Sequence, residues 1–242
     1  MVRPLILNGT LRERWLQYED YVRLTLPVIE KEIPFTPALF ACESALISGE
    51  DPARIPWPEW RTKHLDKAAS QDEKWDEPTW SADFMINDVT VADSCITSRG
   101  RRHDIMHPMI VNMSLCRNRM EPKWRKTTYL GSSTGFPAAK HAERLVRYWR
   151  MAVLRGAERL VGTSDESRQI FAWATHDAFI SFQPFKDGNE RTARMMLQLV
   201  RRELELKPVF ISRHDMTFHR ERIRLFRTGF FAPLMEYYGF MG

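Results

Sequence analysis

Apolar residues recur at helical spacing along most of the chain and strand-like alternation is scarce, so the pattern predicts a mainly α-helical protein. Thr10, with Glu13 three residues on, has the form of a capping box. Trp15, Tyr18 and Val22 then mark the apolar face of a helix that extends to about residue 25. A second helix is expected from Thr36–Pro37 to Gly49, with proline in its first turn and glycine as its stop. Residues 50–85 break the pattern. Trp57, Trp60, Trp75 and Trp80 stand there among prolines and charges, which reads as an extended, tryptophan-anchored stretch. It forms the natural boundary between an N-terminal helical lobe, 1–85, and a core, 86–242.

Helical spacing resumes from residue 104 to Cys116. Trp124 to Leu130 alternates loosely into the small-residue turn 131–135, the signature of a short strand or β-hairpin. Pro137 opens a helix with Ala138, Ala142, Leu145, Trp149 and Ala152 on one face and Gly156 as its stop. Thr163 and Glu166 form another capping box. The helix behind it, over 164–181, carries Ile170, Phe171, Trp173, Ala174, Ala178, Phe179 and Ile180, apolar nearly all round, and should be the buried centre of the domain. A loop at 183–188 feeds an amphipathic helix from Asn189 to Leu204, and 215–238 should hold two shorter helices.

With 242 residues, 43% of them hydrophobic and 28% charged, the chain has enough apolar mass for a sizeable core. Its apolar runs are short and broken by charge, so no membrane span is expected. The stretch Met1–Leu7 is too short for a secretory h-region and no small-residue cleavage site follows, so a cytoplasmic location is expected. Cys42, Cys95 and Cys116 are odd in number and widely spaced, which argues for buried thiols rather than a disulfide framework or a zinc site. The net charge of +5 draws on two clusters: Arg99, Arg101, Arg102 and His103, and Arg213, Arg220, Arg222, Arg224 and Arg227. A solvated surface is the plain reading, and phosphate or an acidic partner the functional one. No helix-turn-helix, RRM or zinc-finger spacing accompanies them, so no specific nucleic-acid motif is present.

The chemistry concentrates in Gln183-Pro184-Phe185-Lys186-Asp187-Gly188-Asn189-Glu190-Arg191-Thr192-Ala193-Arg194. A loop entering a helix N-terminus offers free backbone N–H groups and a positive dipole end, which suits phosphate. Gly188 permits close backbone approach, Asn189 can donate to a phosphate oxygen, and Arg191 and Arg194 lie on the first turns to pair with a polyphosphate. Asp187 is a hard oxygen ligand suited to Mg²⁺.

This segment resembles the Fic family signature His-Pro-Phe-x-Asp/Glu-Gly-Asn-Gly-Arg-x-x-Arg, with seven of its nine specified positions present. The resemblance implies a mainly α Fic-like helical bundle with a short β-hairpin flap, carrying Trp124, Arg125, Leu130 and Gly131, that clamps a target peptide. It further implies ATP with Mg²⁺ as ligands, and transfer of a nucleoside monophosphate onto a protein hydroxyl.

Two departures fall at the centre of that chemistry. Gln183 stands where the family has its general-base histidine, and a carboxamide has no basic site near neutral pH. Glu190 replaces the second glycine, beside the expected α-phosphate. Glu190 can complete a capping box with Asp187, or pair with Arg194 four residues on. Ser44-Ala45-Leu46-Ile47-Ser48-Gly49 has the shape of the family's inhibitory helix with Ser48 in place of its glutamate; a plain helix end explains it equally. His103 and His107 are spaced as a metal pair without an evident third ligand, and His176 is expected at the core edge, bonded to backbone. Three functions follow: a catalytically impaired regulatory or protein-interaction module with residual ATP/Mg²⁺ binding, a transferase with altered chemistry, or a pure protein-binding domain with a closed nucleotide cleft. The protein partner and the oligomeric state are not specified by the sequence.

Overall fold

The computed structural model describes residues 9–30, 47, 107–115, 124–126, 136–209 and 211–240. Helix α1, Leu11–Ile29, opens on the expected capping box: Glu13 N donates to Thr10 Oγ1 at 3.3 Å and Thr10 N donates to Glu13 Oε2 at 2.6 Å. It extends beyond its predicted end, through Pro27, because tertiary contacts hold the last turn. Thr25, Leu26 and Ile29 are buried there. The Glu30 carboxylate accepts from Trp173 Nε1 at 2.8 Å, from Gln169 Nε2 at 2.9 Å and from both terminal nitrogens of Arg201 at 2.5 and 3.0 Å.

Helix α2 is Pro108–Leu115. A 3₁₀ turn, Ala139–His141, leads into α3, Ala142–Arg159, and α4 follows as Asp165–Phe182. Helix α5 is Asn189–Glu203, α6 is Met216–Phe226, and a π-helical turn, Arg227–Phe231, joins α6 to α7, Ala232–Tyr237. As its all-round apolar pattern predicts, α4 is the central helix and packs against α1, α3, α5 and α6. Trp173 and Phe179 on it are fully buried, each worth about 1.5–3 kcal/mol of transfer free energy.

Three local expectations shift. The cap of α4 is Ser164, whose Oγ accepts from Ser167 N at 3.3 Å, because Thr163 Oγ1 is turned back to donate to Leu160 O at 2.8 Å. Gly156 does not stop α3 but lies inside it, where a Cβ would stand 2.1 Å from Cζ of Phe171; the glycine lets that ring lie against the helix. The inward face of α3 is Ala142, Leu145, Val146, Trp149 and Val153, while Ala152 is exposed.

The second arginine cluster is only in part a solvated patch: Arg220 is exposed, while Arg222 and Arg227 are buried. Arg222 is completely buried and clamps Asp177 through Nε at 2.7 Å and Nη2 at 2.9 Å. Tyr18 OH donates to the same carboxylate at 2.7 Å, and Arg224 pairs with Glu221 at 2.6 Å. His176 joins this network, Nδ1 lying 3.0 Å from Asp177 Oδ1, rather than bonding backbone at the core edge. His107 precedes α2, and its Nδ1 accepts from Met109 N at 3.1 Å.

Ile47 is helical and packs on the core. The rest of the expected helix 36–49 with Ser44, Ser48 and Gly49, the tryptophan-rich segment, the lobe boundary at 85–86, the three cysteines, the first arginine cluster with His103, and the hairpin positions Leu130 and Gly131 lie outside the described residues. Among the described residues no helix is long and apolar enough to cross a membrane.

Candidate functional site

The loop between α4 and α5 is shaped by its own sequence. Gln183 ends α4 in the left-handed region, φ 41° and ψ 61°, a conformation that a non-glycine residue adopts only when its surroundings impose it. Phe185 then plunges into the core, fully buried, and stacks on Trp124 with centroids 5.3 Å apart. Asn189 closes the loop on itself: its Oδ1 accepts from Phe185 N at 2.8 Å and its Nδ2 donates to Phe185 O at 2.9 Å. Gly188, at φ 72°, turns the chain into α5 as its N-cap.

Neighbouring elements brace this loop from behind. Asn112 of α2, buried, donates through Nδ2 to Asp187 O at 2.9 Å and to Thr192 Oγ1 at 3.0 Å. Trp124 makes an isolated antiparallel bridge with Phe185, and Arg125 N donates to Pro184 O at 3.0 Å. The Arg125 guanidinium, buried, donates to Pro137 O and Phe182 O. Arg125 therefore supports the motif loop from inside the protein rather than presenting a guanidinium to a target.

The predicted Asp187–Glu190 capping box does not form. Asp187 Oδ1 accepts from its neighbour Gly188 N at 2.7 Å, so α5 starts one residue later than the box requires. Glu190 instead occupies the exposed first turn, with its carboxylate 3.8 Å from Arg194 Nη1. Asn189, expected as a phosphate donor, is committed to Phe185.

A cavity of about 330 Å³ opens at the loop, lined by Gln183, Lys186, Asp187, Gly188, Asn189, Glu190 and Arg191. Six of the residues singled out in the sequence thus meet in one place. Arg194 is not among the cavity walls; it is buried. Its charge there helps to lower the pKa values of His176 and His219, for which burial is the larger cause. Lys186 and Asn112 were missed by the sequence reading. Lys186 is a variable position of the motif. Asn112 did leave a signal, as a lone amide in the apolar run Pro108–Leu115.

Among the described residues no group of three or more His, Cys, Asp or Glu is placed to hold a metal ion. What the cleft offers is a helix N-terminus, two cations, Lys186 and Arg191, and two exposed carboxylates, Asp187 and Glu190, of which Asp187 is the one suited to a divalent ion beside an anion.

Residues 109–200 match the model of the Fic/DOC family. The fold is similar to a Fic domain containing signaling protein from Bacteroides thetaiotaomicron VPI-5482 at 13% identity and a TM-score of 0.54, covering 92% of this chain and 93% of that one. A Fic family protein from Desulfovibrio desulfuricans G20 is similar at 12% identity and a TM-score of 0.50, covering 98% of this chain and 70% of that one. No curated protein matches the chain. The family match runs from α2 through the motif loop to the last turn of α5, so the elements that build and brace the cleft are the part of the chain that is similar to the Fic/DOC family.

Proposed function

We propose that this chain is a catalytically impaired Fic-fold protein that acts in the cytoplasm as a regulatory or protein-interaction module. The observation that carries the reading is Gln183 at the junction of α4 and the motif loop, the position of the family's general base. Its amide can accept or donate a hydrogen bond to an incoming hydroxyl but cannot remove the proton. Loss of a general base costs about 10²–10⁴-fold in rate.

The donor set fits a short phosphate chain. Lys186, Arg191 and the first N–H groups of α5 would hold phosphate oxygens, and Asp187 would face Mg²⁺. Mg²⁺, when bound, would screen the charge of the phosphates. The Glu190–Arg194 contact favours a second reading, a protein-binding domain whose cleft no longer takes a triphosphate. It places a negative charge on the first turn and engages the arginine that a third phosphate would need.

Two measurements decide. The purified 242-residue chain incubated with labelled ATP, UTP or GTP and a cell lysate should label nothing above background. Transfer that vanishes in Arg194→Ala would overturn the proposal in favour of altered transferase chemistry. Calorimetric titration with ATP and Mg²⁺ separates the first two readings, since binding supports a residual nucleotide site and its absence supports the pure interaction domain.

A further inference from the structure

A second cavity, of about 500 Å³, shares no lining residue with the motif cleft and lies between α3, α4, the π-helical turn and α7. Trp149, Ala178 and Phe182 line it together with Leu145, Phe231 and Met235. The small side chains Ala152 and Ala178 leave the space. At its rim Tyr148 and Tyr238 are 49% and 59% exposed. A concave, aromatic-lined space of this size matches ligand sites rather than packing defects. The wall that carries Phe231 is a π-helical turn, an uncommon backbone form that concentrates at functional sites.

A cation stands beside the Phe240 wall of the groove, just outside its apolar lining. Ala138 N donates to Phe240 O at 2.6 Å and Phe240 N donates to Met235 O at 2.7 Å, which holds Phe240 in the wall of the groove. The Arg144 guanidinium lies 4.5 Å over that ring, and its Nη2 is 3.0 Å from His141 Nδ1. Lys140 adds a second cation. Together Arg144 and Lys140 reinforce the effect of burial in lowering the His141 pKa. The acidic residue of this turn, Glu143, is engaged by Arg147 at 3.2 Å. Inside the groove, the Trp149 Nε1–H is already spent on Thr175 O at 2.8 Å, so little is offered to a peptide main chain.

We infer that this groove binds a single-chain amphiphile with an anionic head, a long-chain carboxylate, its tail among Trp149, Phe182 and Phe231 and its head against Arg144. Apolar walls supply the affinity through desolvation of the tail, and the cation beside Phe240 fixes its direction. The assignment does not depend on nucleotide binding at the motif cleft.

The test titrates the full chain with dodecanoate and with dodecanol, both as monomers, by calorimetry. Dodecanoate should bind saturably and about three- to five-fold more tightly than dodecanol, the scale of one exposed ion pair. Ala152→Trp adds a ring to the groove from an exposed position on α3 and should weaken dodecanoate by about ten-fold or more. Arg144→Glu should abolish the preference for carboxylate over alcohol while leaving dodecanol binding in place, a result independent of whether the tryptophan variant folds. Equal affinity for acid and alcohol, or unchanged binding in Ala152→Trp, would overturn the assignment. So would binding only to phosphatidylglycerol vesicles, which would make the groove a membrane contact. Absence of ligand binding, with a concentration-dependent dimer that Ala152→Trp disperses, would assign the groove to a second copy of the chain.

Discussion

At the scale of single residues, the motif loop shows how one side chain can serve structure and oppose chemistry. Glu190 stands on the first turn of α5, where a carboxylate complements the helix dipole by about 0.3–1 kcal/mol. The same charge repels phosphate and contacts Arg194. Glu190→Gly should therefore lower stability by about 1 kcal/mol, the usual penalty of a helical glycine, while tightening ATP–Mg²⁺ binding in calorimetry. Weaker or unchanged binding would mean that something other than this carboxylate closes the site. Gln183 poses the complementary question. Gln183→His combined with Glu190→Gly restores the family motif from 183 to 194 and should yield self-modification with labelled ATP, while Gln183→His alone should do less. A double variant that binds nothing and labels nothing would leave the interaction-domain reading as the better one.

At the scale of elements, the predicted helices appear because their burial is written as periodicity. The all-round apolar run over 164–181 became the central helix, and the amphipathic run from Asn189 became the helix beside it. Two helix starts shifted where a side chain had two partners to choose from. Thr163 took Leu160 O and left the cap to Ser164, and Asp187 took Gly188 N and left the capping box unformed. Neither choice is visible in sequence, because both residues fit both roles. The motif residues were legible as a set, but Asn189 turning inward onto Phe185 depends on the loop's three-dimensional path. The loop's bracing was missed for the same reason, and it makes a prediction. Asn112 is a buried donor to two acceptors from a different helix. Asn112→Leu keeps the volume but leaves Asp187 O without its amide, which should cost about 1–3 kcal/mol. Hydrogen exchange should rise in 184–192 more than in α1. Uniform acceleration across the chain would mean that the amide stabilises the whole core rather than the loop.

At the scale of the whole molecule, the core is held by a buried polar network that composition hid as surface charge. Tyr18 from α1, His176 and Asp177 from α4, and His219 and Arg222 from α6 meet around the Trp173 indole, with the Arg222 guanidinium 4.0 Å above its ring. Removing one partner of such a pair strands the other charge. Asp177→Asn should destabilise by about 3–5 kcal/mol in urea denaturation, several times the effect of Tyr18→Phe, which leaves the ion pair intact. The two histidines give the network a pH signature. Burial holds His219 well below its ordinary value of 6.5, with Arg222 beside it, and lowers His176 despite its bond to Asp177. Below pH 6.5 the unfolded chain takes up protons at both positions more readily than the folded protein, so folding is progressively disfavoured as the pH falls. Asp177 works further down, because its lowered pKa contributes stability above 3.8 that is lost only in stronger acid. Urea midpoints should therefore drop between pH 7.5 and 5.5, with a limiting slope of about 1.4 kcal/mol per pH unit for each histidine. His219→Gln keeps an oxygen to accept from Arg222 Nη1, now 2.9 Å from His219 Nδ1, but cannot titrate, and it should flatten that slope more than His176→Gln does. A wild-type midpoint that is level across this interval would show that water reaches the network and that the histidines titrate as they do in the unfolded chain.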